Sequence, residues 1–353
     1  MGMTFIDFFA GIGGFHSGFE KAGVKCIGWC EFDKYAQKSY QAIYDTEGLW
    51  FKDDVRKVRG WEIPRATVWT FGFPCQDVSI AGKQKGIKRG TRSGLFFEIM
   101  RLIDEAEENK PRWIIAENVK NLLSIEGGWG FFTVLSEMEE RGYSIEWKMY
   151  NSKDYGVPQN RERVYIVGYL GETGGRELLP QARKGERTIK KVIGGSQAER
   201  VYDLTLLYKF IDFSKKNPQT TEHARCLTAR YDRGISNRAG ESSGVMAVLT
   251  PNRTEKRQNG RRIKDPGEPS FTLTAQDIHG VALSDGSLCR IRKLTPKECW
   301  RLQGFTDDQY EKAASVNSKS QLYKQAGNAV TVNVTYEIGK HIIGFEKNDE
   351  GEK

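Results

Sequence analysis

The chain has 353 residues, 38% of them hydrophobic, with 54 Lys and Arg against 46 Asp and Glu and a formal net charge of +8. No apolar run approaches the about 18 residues a membrane span needs, and the opening Met1–Ala10 stretch carries Asp7 and lacks the basic leader and cleavage site of a secretory signal; a cytoplasmic protein with no membrane partner is expected. Six scattered cysteines with no CxxC pair, and only four histidines, argue against a zinc cluster, any other metal site or a disulfide framework.

The first half alternates strand-like and helix-like patterns. Thr4–Ala10 reads as a buried strand, followed by a Gly-rich turn and a helix over Phe15–Lys21. Lys25–Glu31 is a second strand, with Cys26 and Cys30 expected as buried thiols. Asp33 then caps a helix to Tyr44. Thr67–Phe73 reads as a strand, Ser93–Glu108 as a helix, Trp113–Glu117 as a strand and Gly130–Glu140 as a helix. Ser144–Tyr150 and Arg163–Tyr169 read as further strands. Such alternation implies an α/β fold, with a mostly parallel sheet covered on both faces.

The pattern changes after about Leu170. Residues 171–290 are rich in Gly, Arg, Ser, Thr and Asn, with short apolar stretches between turn signals, and read as a small, irregular, β-containing second domain. Between Gly171 and Arg290 there are 21 Lys and Arg against 14 Asp and Glu; the rest of the chain holds 33 against 32. This local excess points to a polyanionic partner. Helical periodicity returns at Pro296–Leu302 and Asn328–Ile343, in a segment spanning 291–346, and the charged tail 347–353 is expected to fray.

Three clusters carry chemistry. Asp7-Phe8-Phe9-Ala10-Gly11-Ile12-Gly13-Gly14-Phe15 joins a strand to a helix at the strand's carboxyl end, where open α/β sheets bind ligands. Position 16 is His, so the GxGxxG spacing of dinucleotide folds is absent. Glu31, 20 residues after Gly11, can accept both hydroxyl hydrogens of a ribose, and Asp54 can hold an adenine amino group. Next, Gly72-Phe73-Pro74-Cys75-Gln76 puts a cysteine where a strand meets the crevice. Only a thiolate is a good nucleophile, and an unperturbed thiol near pKa about 8.5 is mostly protonated at neutral pH. Lys83, Lys85, Arg161 and Arg163 are candidates for the activating field, and the Gly- and Lys-rich stretch from Ser79 to Arg92 reads as a loop beside the cysteine. Last, Glu117 ends a strand, where it can act as a general acid, and Arg161 and Arg163, spaced by two on an extended segment, would face one anion or carboxylate.

In this order the segments resemble the bacterial DNA cytosine-5 methyltransferases. The likeness rests on DFFAGIGGF (7–15), EFD (31–33), GFPCQ (72–76), AENVKNL (116–122), QNRERVYIVG (159–168), RKLTPKECWRLQGF (292–305) and QAGNAV (325–330). It implies a Rossmann-like catalytic domain over 1–170, a target-recognition domain over 171–290 and a C-terminal segment, 291–346, whose last helix returns to the first domain. It also implies S-adenosyl-L-methionine as cofactor, surrounded by Phe9, Gly11, Ile12, Gly14, Glu31, Phe32, Asp54, Val55, Pro74, Leu95, Asn328 and Val330. By the same likeness Cys75 is the nucleophile, Glu117 holds the cytosine edge, and Arg161 and Arg163 line the base pocket.

The implied macromolecular partner is double-stranded DNA. Ser79, Lys83, Lys85, Arg253, Arg257, Arg261, Arg262 and Thr272 are the expected DNA contacts; Thr272-Leu273 resembles the family's Thr-Leu signature, echoed in reverse by Leu227-Thr228. Ala81 stands where some members have Ser, a position that enters the duplex in relatives. The likeness leaves room for a cognate restriction endonuclease in the host, and a monomer is the default expectation. An RNA cytosine-5 methyltransferase, a non-enzymatic DNA-binding protein and a nucleotide-dependent oxidoreductase are the rival readings. The oxidoreductase gives no account of Cys75 or the basic segment.

Overall fold

The computed structural model describes residues 2–73, 94–181 and 295–351, together with strand segments at 210–212, 219–221, 224–225, 243–248, 280–282 and 288–292. The first part builds a seven-stranded sheet from β1 (Thr4–Phe8), β2 (Lys25–Cys30), β3 (Trp50–Lys52), β4 (Val68–Gly72), β5 (Trp113–Val119), β6 (Ser144–Asn151) and β8 (Glu162–Tyr169). The short β7 (Gln159–Asn160) lies outside it, paired in parallel with β11 (Ala224–Arg225). The sheet order is β3-β2-β1-β4-β5-β8-β6. The strands from β3 to β5 are parallel neighbours, while β8 runs antiparallel to both β5 and β6.

Helices α1 (Gly14–Ala22), α2 (Lys34–Ile43), α3 (Leu95–Glu105) and α4 (Trp129–Glu139) connect the strands. β5 shows why both faces need cover. Ile114 and Ala116 point into a core with Ile99, Leu102 and Ile103 of α3, while Trp113 and Ile115 point into the opposite core with Phe15 and Phe19 of α1. A strand buried on both sides reads as a continuous apolar run, as Trp113–Ala116 does. Cys26 and Cys30 are buried as expected; burial pushes the Cys26 thiol up to about 12, so it is inert rather than nucleophilic.

Four helices follow the basic region: α5 (Pro296–Leu302), α6 (Asp307–Ala314), α7 (Lys319–Asn328) and α8 (Val332–Gly351). Thr295 with Glu298, and Thr306 with Gln309, form capping boxes that start α5 and α6. Two expectations change here. The helix expected over Asn328–Ile343 is divided: Asn328 ends α7, and a new helix begins at Val332. The charged run over Lys347–Gly351 completes α8, where the Asp349 carboxylate pairs with Arg112 and Arg176, and residues 352–353 lie outside the described residues.

The described strands of the basic region form a separate antiparallel sheet, β10-β9-β12-β14-β13, from β9 (Phe210–Asp212), β10 (Gln219–Thr221), β12 (Ser243–Val248), β13 (Gly280–Ala282) and β14 (Leu288–Arg292). Residues 178–180, just after the composition changes, lie against β6, where the Lys148 ammonium and Tyr150 hydroxyl donate to the carbonyls of Leu179 and Pro180.

α8 packs along α1 so closely that a Cβ on Gly18 would stand 1.9 Å from Thr335 Oγ1 and 2.7 Å from the Tyr336 nitrogen. Gly18→Ala should therefore destabilise the protein by about 1–3 kcal/mol through overpacking, read as a lower urea midpoint with unchanged slope. An unchanged midpoint would show that the two helices part without penalty.

Candidate active site

The sheet reverses its winding at β1. From there the chain builds β2 and β3 to one side, then returns to build β4 and β5 on the other. The carboxyl ends of β1 and β4 therefore flank the crevice where such sheets take ligands.

The turn leaving β1 is held in an unusual path. Phe9, a non-glycine, has φ +53°, and Gly11 and Gly13 have φ +57° and +80°. A Cβ on Gly11 would meet nothing within 4 Å among the described residues, which leave the space before the turn open. A Cβ on Gly14 would fall 2.3 Å from the Val330 carbonyl oxygen, so that glycine admits the α7–α8 connection. Behind the turn Asp7 is buried beside the Thr70 hydroxyl, 2.9 Å away, and burial pushes its carboxyl well above the usual range.

Glu31 closes the open side. Its Oε2 accepts the Gly11 N–H at 2.8 Å and its Oε1 accepts the Asp33 N–H at 2.7 Å. Burial raises this carboxyl, against the lowering effect of those two amides. Each oxygen keeps a lone pair for a further donor. The next ring, Phe32, is 68% exposed and lies 5.7 Å from the Arg56 guanidinium. Asp54, on the following strand's exit, binds Arg56 at 2.7 Å, and that bond holds its carboxyl below the usual value. Open space before Gly11, a two-oxygen acceptor and an exposed ring on one edge fit an adenosine-type ligand. Ile12 and Val55 bury their side chains in the core, so only their backbones can meet a ligand there. Leu95 starts α3, partly buried. Asn328 is exposed, and Val330 is partly buried against Gly14 and Gly72.

On the other side of the crevice Glu117 pairs in register with Gly72, the last residue of β4. Arg163 on β8 approaches its carboxylate, Nε to Oε1, at 3.1 Å. Burial raises the Glu117 carboxyl, and Arg163 then Arg161 pull it back down. Glu117 is thus a buried carboxyl held beside a guanidinium. Arg161 has a second attachment besides its charge on that carboxylate: its Nη2 donates to the carbonyls of Gly327, at 3.2 Å, and Ala329, at 2.9 Å.

Sequence reasoning assigned no role to Asn118. Its amide donates to the Phe73 carbonyl at 3.1 Å and fixes the chain as it leaves β4 toward residue 75. It also overlooked Lys324, whose ammonium pairs with the Asp33 carboxylate. A lysine inside the QAGNAV-flanking helix was the available signal. Pro74, Cys75, Ser79, Lys83, Lys85, Arg253, Arg257, Arg261, Arg262 and Thr272 lie outside the described residues. Among the described residues no group of His, Cys, Asp and Glu could hold a metal ion, and no helix is long and apolar enough to cross a membrane.

Comparison with known proteins places this edge in context. The family profile of C-5 cytosine-specific DNA methylase matches residues 3–344. The orphan methyltransferase M.SPBetaI of Bacillus phage SPbeta is 33% identical, over 98% of this chain and 99% of its own. The type II methyltransferase M.HhaI of Haemophilus parahaemolyticus is 33% identical, over 97% and 94%. Among solved structures, the Entamoeba histolytica methyltransferase EhMeth aligns with TM-score 0.64 at 17% identity, covering 98% of both chains. A putative DNA modification methyltransferase from an Escherichia coli prophage gives 0.60 at 18%, over 98% and 99%. These two share the fold.

Arg163→Ala removes the nearest cation, so Glu117 should titrate at higher pH than in the wild type. Because its folded value is already raised, the native state keeps a proton that the unfolded state has lost, and stability falls as pH rises through that window. In the variant the fall should extend to higher pH. Carbon-13 titration of labelled glutamate carboxyls checks this, and an unmoved Glu117 would show that the guanidinium does not offset its burial.

Proposed function

Because the chain belongs to the C-5 cytosine-specific DNA methylase family, we propose that it moves a methyl group from S-adenosyl-L-methionine to carbon 5 of a cytosine flipped out of duplex DNA, through a transient bond from Cys75. The observation that carries this reading is the order of strand ends along one edge. The glycine turn on β1, the β4 exit that leads in two residues to Cys75, the Glu117 carboxyl on β5 and Arg163 on β8 stand side by side. Adjacent strands are about 4.8 Å apart, so a ligand over β1 and a base over β5 would meet above β4.

On this reading Glu31 holds the ribose hydroxyls, Phe32 offers its ring to the adenine, and Asp54 and the backbones of Phe9, Gly11, Ile12, Gly14 and Val55 complete the cradle. Pro74, Leu95, Asn328 and Val330 close the methionine end. Bound there, S-adenosyl-L-methionine supplies a methyl group on a positively charged sulfur, a strong electrophile.

Carbon 5 of cytosine is a weak nucleophile inside a stacked helix, and extruding the base costs about a few kcal/mol. The Cys75 thiolate adds to carbon 6 while ring nitrogen 3 gains negative charge. A Glu117 carboxyl raised by burial retains a proton to share with that nitrogen. Arg163 fixes the carboxyl's direction and limits the rise, so the acid can also return to carboxylate. Carbon 5, now enamine-like, takes the methyl group; a base removes its proton and the Cys75 sulfur leaves. Residues 171–290 act as the target-recognising domain, with Arg253, Arg257, Arg261 and Arg262 on phosphates, beside Ser79, Lys83, Lys85 and Thr272.

A duplex carrying 5-fluorocytosine lacks the carbon 5 proton that must depart, so the wild type should form an adduct that survives denaturing electrophoresis, and Cys75→Ser should form none and lose turnover. A wild type that methylates cytosine without forming the adduct would refute the covalent route. DNA affinity should also fall with a log–log salt slope of about −0.9 per phosphate contact; a salt-independent Kd would remove the phosphate role of the basic segment.

A further inference from the structure

Tyr44 lies outside every segment that carries the family likeness, yet it reaches the back of the cofactor turn. It follows the last residue of α2, where its N–H donates to the Tyr40 carbonyl. Its ring stacks on His16 with centroids 3.8 Å apart and planes 9° apart, and leans on Tyr40 at 4.7 Å. Its hydroxyl stands 2.8 Å from the Gly13 carbonyl oxygen and 3.1 Å from that of Ile12. A Cβ on Gly13 would strike the same ring at 2.4 Å, so the glycine and the phenol fit one another.

The direction of these hydrogen bonds can be followed from the far end. Gln309 Oε1 accepts the Thr306 N–H at 2.9 Å in the capping box of α6, so its amide nitrogen is the free donor end. That nitrogen donates to Ser17 Oγ at 2.8 Å. The Ile12 and Gly13 carbonyls can only accept, so the Tyr44 proton turns to them and Ser17 is the donor to the Tyr44 oxygen, 2.6 Å away. Burial pushes the phenol up, so it remains a neutral donor at ordinary pH. The turn is thus gripped from both sides, by Glu31 on the Gly11 N–H and by Tyr44 on the Ile12 and Gly13 carbonyls.

We propose that Tyr44 is a positioning residue for the cofactor. Through a one-way hydrogen-bond relay, Gln309 to Ser17 to Tyr44, it locks the left-handed turn Gly11–Gly13 in the shape that receives the ligand. The inference rests on the reading that this turn binds S-adenosyl-L-methionine.

Tyr44→Phe keeps the ring stack and removes only the hydroxyl. The Kd for S-adenosylhomocysteine, measured by titration calorimetry, should rise about five- to tenfold, the effect of losing one buried donor to two carbonyls. The KM for S-adenosyl-L-methionine should rise with it, and kcat should fall by less than the Kd rises. Gln309→Glu keeps the oxygen that caps α6 and replaces the donor with an acceptor, which turns the Ser17 proton away from Tyr44. It should give a smaller rise in the same direction. Unchanged Kd values in Tyr44→Phe, with or without a lower Tm, would overturn the positioning role. A wild type that fails to bind either ligand would overturn the cofactor reading itself, and the inference with it.

Discussion

The constraint on which the site depends is the contact between the two ends of the chain. α8 lies against α1 at backbone distance because Gly14 and Gly18 offer no side chain on the facing side. The Val330 carbonyl oxygen occupies the space where a Cβ of Gly14 would be, and Thr335 occupies that of Gly18; the Thr335 hydroxyl also donates to the Gly14 carbonyl at 2.9 Å. Everything the C-terminal helices bring to the crevice follows from this seating: the exposed Asn328, the partly buried Val330, the Lys324 partner of Asp33 and the Gln309 amide that reaches Ser17. Larger residues at 14 or 18 would lift the segment away, and the first half would keep its sheet with an incomplete edge.

The same edge gathers two buried carboxyls, Asp7 and Glu117, and the partly buried Glu31, each raised chiefly by loss of water. Their neighbours distinguish them. Asp7 has the Thr70 hydroxyl on Oδ1 and, among the described residues, no partner on Oδ2, and burial holds it well above the ordinary value. Glu31 is balanced by two backbone amides, which suits an acceptor of hydrogen bonds. Glu117 is balanced by guanidinium charge instead, which tunes proton affinity without occupying every acceptor site. One functional group, the carboxyl, thus meets three different surroundings along one edge, according to what replaces water around it.

Much of this was legible in the sequence because it is local. Asp33 was read as the cap of α2, and its carboxylate accepts the Tyr35 and Ala36 amides. Pro296–Leu302 was read to the residue from its helical periodicity, and the structure starts it with the Thr295–Glu298 capping box and Pro296. The alternating apolar pattern gave the principal strands of the sheet to within two residues at their ends. What the sequence hid is non-local. β3 and β7 are short strands that exist only because a neighbour pairs with them. α6 is largely polar, with only Ala313 buried, so periodicity gave it little signal. Tyr44 looked like the end of a helix; nothing in its neighbours reveals that its hydroxyl meets a turn more than 30 residues earlier.

The break between α7 and α8 joins the two sides of the crevice. No proline or glycine stands between Asn328 and Gly339, and a helix could run on from there by composition alone. The last carbonyls of α7 need partners once it ends. Arg161, arriving between β7 and β8, supplies a guanidinium to the carbonyls of Gly327 and Ala329, a cation where the helix dipole is negative. The Thr331 hydroxyl meanwhile donates to Gln303 at 3.0 Å and lies 2.8 Å from Ser152 Oγ, while the Ser152 N–H donates to the Arg161 carbonyl at 3.0 Å. The connection 329–331 is therefore held by the strand pair that also carries Arg163 to Glu117. Arg161 and Arg163 both lower the Glu117 carboxyl, as their spacing suggested, and Arg161 in addition holds the chain beside the glycine turn. The two halves of the crevice are coupled through the three residues 161–163, so a displacement of that segment would disturb both the Asn328 turn and the Glu117 carboxyl.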